Sequence, residues 1–479
     1  MISEQKRVKP ITRAGAAAGF IVSLFTTLIL VGGPAAADTV ESALVQAYKN
    51  NEQLNVQRAI VRQTDENVPQ ALAGYRPRAS ATLSAGEQSI STTSQLLPQT
   101  PGTPAQYLTN SGQNAPYSAG VTIAQTIYNG FQTANRTRAA EGQVLQAREA
   151  LRNTEQTVLL NALTAYMTLL RDFAILELNK RNVTVLTEQL RETRDRFKVG
   201  DVTMTDVSQA ESRLAGGQTQ VSTAEAQYKT SVAVYRQVIG VEPGTLSPGS
   251  PVDRFCPKTL DDSFALIDKH PSVAAAMYNV NVAQLAVKVG EGALLPTLTV
   301  QGSAQKGWEP QIQVPETYTL SVLGQLSVPL YQGGAEYSAV RQAKEALGQR
   351  RTELDLARQQ VRSGIVQAWS QVEATKSQIK STEIQVKATE SALNGVREEA
   401  RVGQRTTLDV LNAQQELVNA RTALVSAQRD RIVASYTLLA AVGRLSPEVL
   451  GLPVSLYDAA THYRQVRDSW GGLRTPDGK

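Results

Sequence analysis

Two short segments carry the residue types that could do chemistry in this chain: the first corner, 199–203, and the second corner, 402–406. Each begins with Val-Gly, has a Thr three residues after the glycine, and is followed by an Asp three residues later. Glycine suits the left-handed residue that ends a helix, and Thr-x-x-Asp is an acidic variant of the capping box that starts the next helix. The residues concerned are Val199, Gly200, Thr203, Asp206, Val402, Gly403, Thr406 and Asp409. From the residues themselves, each corner is predicted to be a capped turn between two helices, with one carboxylate at its start.

Arg405 lies inside the second corner, and nothing in helix capping requires it. Elsewhere the 479 residues show no G-x-S-x-G, no Gly-rich phosphate loop with Lys and no H-E-x-x-H. Two His and the single Cys256 make a metal centre improbable. Lys and Arg are scattered among Asp and Glu, which argues against nucleic-acid binding. We expect no enzyme, no cofactor and no metal.

The corners recur because the chain is internally duplicated. Tyr128-Asn129-Gly130 returns as Tyr331-Gln332-Gly333 at the same offset that relates the two corners. A Pro/Gly-rich stretch separates the copies. The predicted organisation is a first repeat at 38–240, a linker at 241–259, a second repeat at 260–443 and a C-terminal segment at 444–479. Each repeat is predicted to contain a helix, two strands, a long helix and a shorter helix.

The predicted long helices, 132–198 and 335–401, would be rods of about 100 Å. Shorter helices are expected at 203–240 and 406–443. Apolar residues spaced by seven follow each long helix and predict side-by-side, coiled-coil-like packing. The low aromatic content of 5% fits rods in a thin wall better than a thick core.

Strand-like alternation is predicted near 75–86, 117–128, 295–305 and 318–330. Apolar residues on one face and small polar residues on the other are typical of a lipid-facing strand over a wet lumen, although a half-buried soluble sheet gives the same pattern. The segments Glu87–Pro116 and Lys306–Thr317 are expected to be polar loops at a water-exposed rim.

Residues 1–37 have the features of a cleaved signal peptide, with basic residues, an apolar run and an Ala-rich cleavage site before Asp38. No later apolar run is long enough for a transmembrane helix. Four strands cannot close a barrel, and a membrane tolerates no open sheet edge. A membrane-spanning chain must therefore oligomerise, with eight strands in a dimer or twelve in a trimer.

In its duplication, strand pairs, long helices and Val-Gly-x-x-Thr corners, the chain resembles the TolC-type outer-membrane factors of tripartite efflux pumps and type I secretion systems. The resemblance implies a mainly α fold with a transmembrane β part: a homotrimer whose twelve-stranded barrel sits in outer-membrane lipid and continues as an α-helical periplasmic tunnel. It also implies two partners, a periplasmic adaptor and an inner-membrane transporter of the RND, ABC or MFS type.

The resemblance further implies roles for individual residues at the corners. Arg405 would hold the tunnel closed by pairing with Thr205 and Asp206, and Asp409 would form a ring that favours cations. Ala400 and Asn412 depart from the family pattern, which has a tyrosine and an aspartate there, so we expect a looser gate and weaker selectivity. Adaptor docking is expected at the six corner residues Val199, Gly200, Thr203, Val402, Gly403 and Thr406.

The alternative hypothesis is a soluble periplasmic coiled-coil scaffold or an adaptor protein. It accounts for the helices but leaves the four alternating strands without a purpose. Neither hypothesis identifies the cargo, since a passive duct contacts many substrates and recognises few.

Overall fold

A computed structural model describes residues 38–96, 102, 104–312, 314–476 and 478. The predicted signal peptide, 1–37, lies outside these residues. Within them the chain forms eleven α-helices. Their bounds are α1 Val40–Asn50, α2 Glu52–Asp65, α3 Asn67–Leu72, α4 Gln132–Lys198, α5 Met204–Ile239, α6 Leu260–Phe264, α7 Pro271–Gly292, α8 Ala335–Arg401, α9 Thr407–Ala441, α10 Pro447–Leu450 and α11 Ala459–Val466. The two rods, α4 and α8, have 67 residues each.

The rods pack lengthwise in pairs, α4 with α5 and α8 with α9. The largest apolar core lies at the middle of α4, where α1 and the C-terminal parts of α5 and α9 converge. Its fully buried side chains include Leu44, Leu159, Leu163, Tyr166, Tyr235, Ile365 and Leu439. One window of α4 is apolar enough to cross a membrane, but half of that window is buried inside the protein. The apolar middle of α4 is therefore explained by core packing.

Six strands are present among the described residues. They are β1 Arg78–Ala85, β2 Gln88–Leu96, β3 Gln106–Asn114, β4 Tyr117–Asn129, β5 Thr297–Gln311 and β6 Val314–Ser327. Four of them form an antiparallel sheet in the order β1-β4-β5-β6, which joins both repeats. β6 ends two residues before Pro329, which cannot donate a ladder hydrogen bond.

Both predicted rim loops are wrong in part. The segment 87–116 contains a second sheet, the rim hairpin β2–β3, and the segment 306–317 is mostly strand because β5 and β6 extend to a short turn. Polar side chains occupy most positions on both faces of the rim hairpin, so its sequence has no period-two alternation to reveal it. Cross-strand pairs hold it together instead, including a 2.9 Å hydrogen bond between the Thr93 and Thr109 hydroxyls.

Candidate channel gate and membrane face

Both corners reverse the chain direction with the same backbone conformation. Gly200 and Gly403 have φ of 81° and 78°, and open space surrounds each of them. The amide of Asp201 donates to the Arg196 carbonyl at 3.0 Å, and the amide of Gln404 donates to the Glu399 carbonyl at 2.9 Å. A left-handed glycine with these bonds closes the C-terminus of each long helix. The backbone conformation, rather than lack of space, is what favours glycine here.

The helices that follow start with complete capping boxes. Thr203 donates its backbone N–H to the Asp206 carboxylate at 2.9 Å, and the Asp206 amide donates to the Thr203 hydroxyl at 3.3 Å. Thr406 and Asp409 repeat this at 3.0 and 3.2 Å. Hydrogen bonds from the Thr203 hydroxyl and amide lower the pKa of Asp206, and those from the Thr406 amide and hydroxyl lower the pKa of Asp409. Both carboxyls are therefore ionised at neutral pH.

The two corners each contain an ion pair, but the positions of its acid and its base are exchanged between them. In the first corner Arg196, on the long helix, pairs with Asp201 of the turn at 2.6 Å. In the second corner the long helix supplies the acid Glu399, and the turn supplies the base Arg405, at 2.9 Å. Glu399 is missing from the residues singled out by sequence. A comparison of the repeats could have found it, because Glu399 stands where the first repeat has Arg196.

Within one chain the structure does not join Arg405 to Thr205 or Asp206, the partners expected from the resemblance. Among the described residues Arg405 contacts Glu399, while Asp206 is held by Thr203. Asn412, at the second departure from the family pattern, accepts a 2.6 Å hydrogen bond from Arg213 of α5. Within the single chain Arg405 is thus paired inside its own corner.

Each corner also presents an exposed apolar side chain. Val199 is 80% exposed and Val402 is 70% exposed, each next to its turn glycine. Leaving valine in water forgoes the gain that burial would give. The tips of both corners therefore offer matching apolar contacts to a partner.

At the opposite end of the molecule, the four-stranded sheet has two chemically distinct faces. The register aligns Ser84 with Ser118, Gly120 with Gln305, and Ser303 with Ser321, so small polar groups share one face. The other face carries exposed apolar side chains, namely Ala79, Ala81, Leu83, Val121, Ile123, Val300, Leu320, Val322 and Leu326. Leu83 is 83% exposed and Val322 is 80% exposed. Such a face requires an apolar surrounding.

Aromatic side chains border this apolar face at both ends. At the end near the rim hairpin, Tyr117 stacks on Trp308 with ring centroids 5.0 Å apart, beside the ion pair Lys306–Glu316. At the helical end, Tyr128 meets Phe131 edge-on. From Tyr117 to Tyr128 the strand spans roughly 36 Å, or about 25 Å of height at the usual tilt. This matches the apolar band of an outer-membrane strand between its aromatic girdles.

The remaining candidate chemical groups have structural surroundings. His270 caps α7 by accepting the Ser272 amide, and His462 lies 3.0 Å from the buried Asp65 carboxylate. Burial raises the pKa of the Cys256 thiol to about 11, far from that of a reactive cysteine. Among the described residues no three His, Cys, Asp or Glu side chains cluster as metal ligands. The chemistry of the site is thus electrostatic, at the corners, and apolar, on the sheet.

An amphipathic membrane sheet continued by long paired helices is typical of one class of protein, the membrane channel with a helical extension. A family model described as outer membrane efflux protein matches residues 43–241 and 265–444. The chain is 41% identical over 458 residues to the outer membrane efflux protein BepC of Brucella suis biovar 1 (strain 1330), covering 95% of this chain and 96% of that one. The chain belongs to the outer membrane efflux protein family.

Two further similarities agree with this family. The outer membrane protein TolC of Vibrio cholerae serotype O1 is 29% identical, over 81% of this chain and 91% of that protein. The crystal structure of the Campylobacter jejuni CmeC outer membrane channel has the same fold, with a TM-score of 0.72 at 14% identity, over 90% of this chain and 89% of that one. The protein is thus an outer-membrane channel for efflux or type I secretion with a helical tunnel in the periplasm. The alternative of a soluble scaffold or adaptor is wrong.

Proposed function

We propose that three copies of the chain form the exit duct of a tripartite export system and that the corners gate its periplasmic end. The observation that carries this proposal is the four-stranded sheet whose outer strands, β1 and β6, each pair on one side alone within the described part of the chain. In lipid the other edge of each strand must pair with another copy. Eight strands from a dimer would enclose an interior filled by side chains, whereas twelve strands from a trimer leave a lumen.

Assembly is tested on the mature protein, which we propose begins at Asp38 after removal of the signal peptide. The Asp38 amide already bonds the Thr245 carbonyl at 2.7 Å, so a new amino terminus would have an acceptor in place. Cysteines introduced as Ala81→Cys on β1 and Val322→Cys on β6 should cross-link to a trimer with a bismaleimide in outer-membrane fractions. A product that stops at the dimer, or protein found only in the soluble periplasm, would overturn the trimer.

The gate works through an exchange of partners by Arg405. In the open arrangement Arg405 pairs with Glu399 of its own corner, the contact present in the single chain. In the closed arrangement it reaches Thr205 and Asp206 of a neighbouring copy. Exposed ion pairs are individually weak, but three copies act together on one constriction. Asp409 supplies three further carboxylates at the mouth, which would attract cations.

Docking of a periplasmic adaptor, itself coupled to an inner-membrane transporter, takes place at the six corner residues. The exposure of Val199 and Val402 supports this, and both turn glycines leave room for close backbone approach. A photo-crosslinking residue at Val199 or Val402 should capture a co-expressed adaptor. The same residue at Leu83, on the membrane face, is the control and should not. Equal capture at both places would contradict docking at the corners.

A further inference from the structure

The last part of the chain returns to the membrane end of the molecule. Helix α11 packs against α2, and Tyr463 packs against the apolar cluster that includes Ala140 of α4. Beyond α11, Arg467 approaches the Glu141 carboxylate at 3.7 Å. The chain then continues past the start of α4 toward β1 as residues 467–474, which we call the tail segment.

Arg76, two residues before β1, holds the tail segment in place. Its guanidinium donates to the Ser469 carbonyl and lies over the Trp470 ring, 4.7 Å from the centroid. Arginine over an aromatic face is a favourable cation–π contact. Trp470 is nevertheless 74% exposed, and Leu473 is fully exposed. The tail segment is therefore fixed through Arg76 while two of its large apolar side chains remain uncovered.

Strand pairing places Arg76 at the border of the membrane face. Arg78, the first residue of β1, lies opposite Ala124 of β4, and the two strands are antiparallel. Residues just before Arg78 are therefore level with residues just after Ala124, which lead to Tyr128 of the aromatic girdle. The contact between Arg76 and the tail segment thus lies where the apolar band of the sheet ends.

A hydrogen bond from β4 identifies the face of the sheet on which this border lies. Gln125 donates to the Tyr75 carbonyl at 2.9 Å. Since side chains alternate along a strand, Gln125 shares the apolar face with Ile123. The chain at Tyr75 and Arg76 is therefore on the side that faces lipid, away from the polar face.

Positive charge accompanies the uncovered apolar side chains. Within the part of the chain that the structure describes, Arg474 makes no ion pair and no hydrogen bond. Asp468 is the one acid of the tail segment, and it lies 3.7 Å from Arg467. Arg76 contacts a carbonyl and a ring rather than a carboxylate. Two cations without an acidic partner thus lie near a tryptophan, a combination that suits an anionic lipid surface.

We propose that the tail segment is an interfacial anchor in the periplasmic leaflet of the outer membrane. Trp470 and Leu473 enter the headgroup region, and Arg76 and Arg474 bind the phosphates of anionic phospholipids. Tryptophan is enriched at this depth because its ring is apolar and its N–H still reaches a hydrogen-bond acceptor. Guanidinium groups match phosphate oxygens in geometry and charge. Lipid is the occupant that fits, because the tail segment adjoins the membrane face.

This inference goes beyond the proposed duct. It requires the sheet to lie in the outer membrane and is independent of the number of copies and of the gate. A trimer without the anchor, or an anchor without the gate, would be distinguished by the measurements below, which concern the tail segment alone.

A fluorophore at position 473 tests the placement. Cys256→Ser removes the native thiol, and Leu473→Cys provides an attachment point at a fully exposed residue. The intact mature protein is reconstituted in nanodiscs of phosphatidylcholine and phosphatidylglycerol that contain some headgroup-nitroxide lipid. The fluorophore should lose about half of its emission, because interfacial side chains lie within roughly 10 Å of the headgroups.

The control is the same fluorophore at Ser222→Cys, which replaces an exposed residue of α5 and should keep its emission. Equal emission at the two positions would overturn the anchor. That result is expected if a neighbouring copy or an adaptor, rather than lipid, covers the tail segment.

Lipid charge tests the role of the arginines. In nanodiscs of phosphatidylcholine with the same nitroxide lipid, quenching at position 473 should fall about twofold, because the attraction to anionic headgroups is lost. Arg474→Gln should reproduce this loss in the anionic nanodiscs, whereas Arg474→Lys keeps the charge and should retain most of the quenching. Equal quenching in the two lipid mixtures, or in the two variants, would overturn the assignment of anionic phospholipid.

Discussion

The first and second corners have the same backbone conformation, but the acid and the base of the ion pair exchange places between them. Gly200 and Gly403 adopt nearly the same φ, and the two capping boxes differ by about 0.1 Å in each bond. The turn of the first corner holds the acid Asp201, whereas the turn of the second holds the base Arg405. Duplication has thus kept the turn geometry and reversed the ion pair. The difference between the corners, and any gate built from it, lies in side chains.

The opposed charges make neighbouring corners complementary. In the proposed trimer, a first corner of one chain would face a second corner of the next. A base in one turn then approaches an acid in the other, and like charges are kept apart. The comparison predicts that Arg405 closes the tip, while Arg196 stabilises its own corner.

The largest effect is expected when Arg405 is removed. Arg405→Ala should raise the open fraction of single channels in planar bilayers roughly three- to tenfold, because three weak pairs are lost from one constriction. The matched change Arg196→Ala removes an ion pair of similar exposure and should leave conductance near that of the unmodified channel. Equal effects of the two substitutions would mean that the corners do not differ in function.

A smaller change is expected for Asp409→Asn, which keeps a side-chain oxygen for the cap and removes a charge. Three carboxylates leave the mouth, so the preference for cations and the block by multivalent cations should fall about twofold. Asn412→Asp is the complementary change: it adds one carboxylate per copy and should increase both, by a smaller factor because Arg213 at that position partly neutralises the new charge. Unaltered selectivity in both variants would place the selective region away from the second corner.

The parts of the fold that could be predicted from sequence are those with a periodic apolar signal. Apolar residues alternate along β6 and recur by seven along α8, because one face of each must avoid water. The rim hairpin has no such face. Its strands form through cross-strand contacts such as Thr93 with Thr109, which a linear pattern does not contain.

The site was predictable to the same limited extent. Gly200 and Thr203 follow from helix-ending and capping rules that act within a few residues. The partner of Arg405 depends on Glu399, which lies in the last turn of α8, and on which other chains are nearby. Family resemblance points to a partner on another copy, and the single chain supplies Glu399. Sequence alone gives no means of ranking the two.

The smallest predicted effect is a response to acid shared by both corners. Hydrogen bonds to the charged carboxylates lower the pKa values of Asp206 and Asp409 below the ordinary 3.8. A carboxyl whose pKa is lowered by folding stabilises the folded state when the pH is above its unfolded pKa. This stabilisation is lost as the pH falls through the folded pKa. The corners should be unaffected down to about pH 5 and loosen below about pH 4.

Hydrogen exchange of the amides in 199–206 and 402–409, corrected for the intrinsic effect of pH, measures this loosening. We expect protection to fall by less than the roughly fivefold that accompanies loss of a whole N-cap, because the backbone turn persists. Asp206→Asn and Asp409→Asn should each remove the acid response of their own corner alone. A response confined to one corner of the unmodified protein would contradict the equivalence of the two capping boxes. The corners would then differ in their helix caps as well as in their ion pairs.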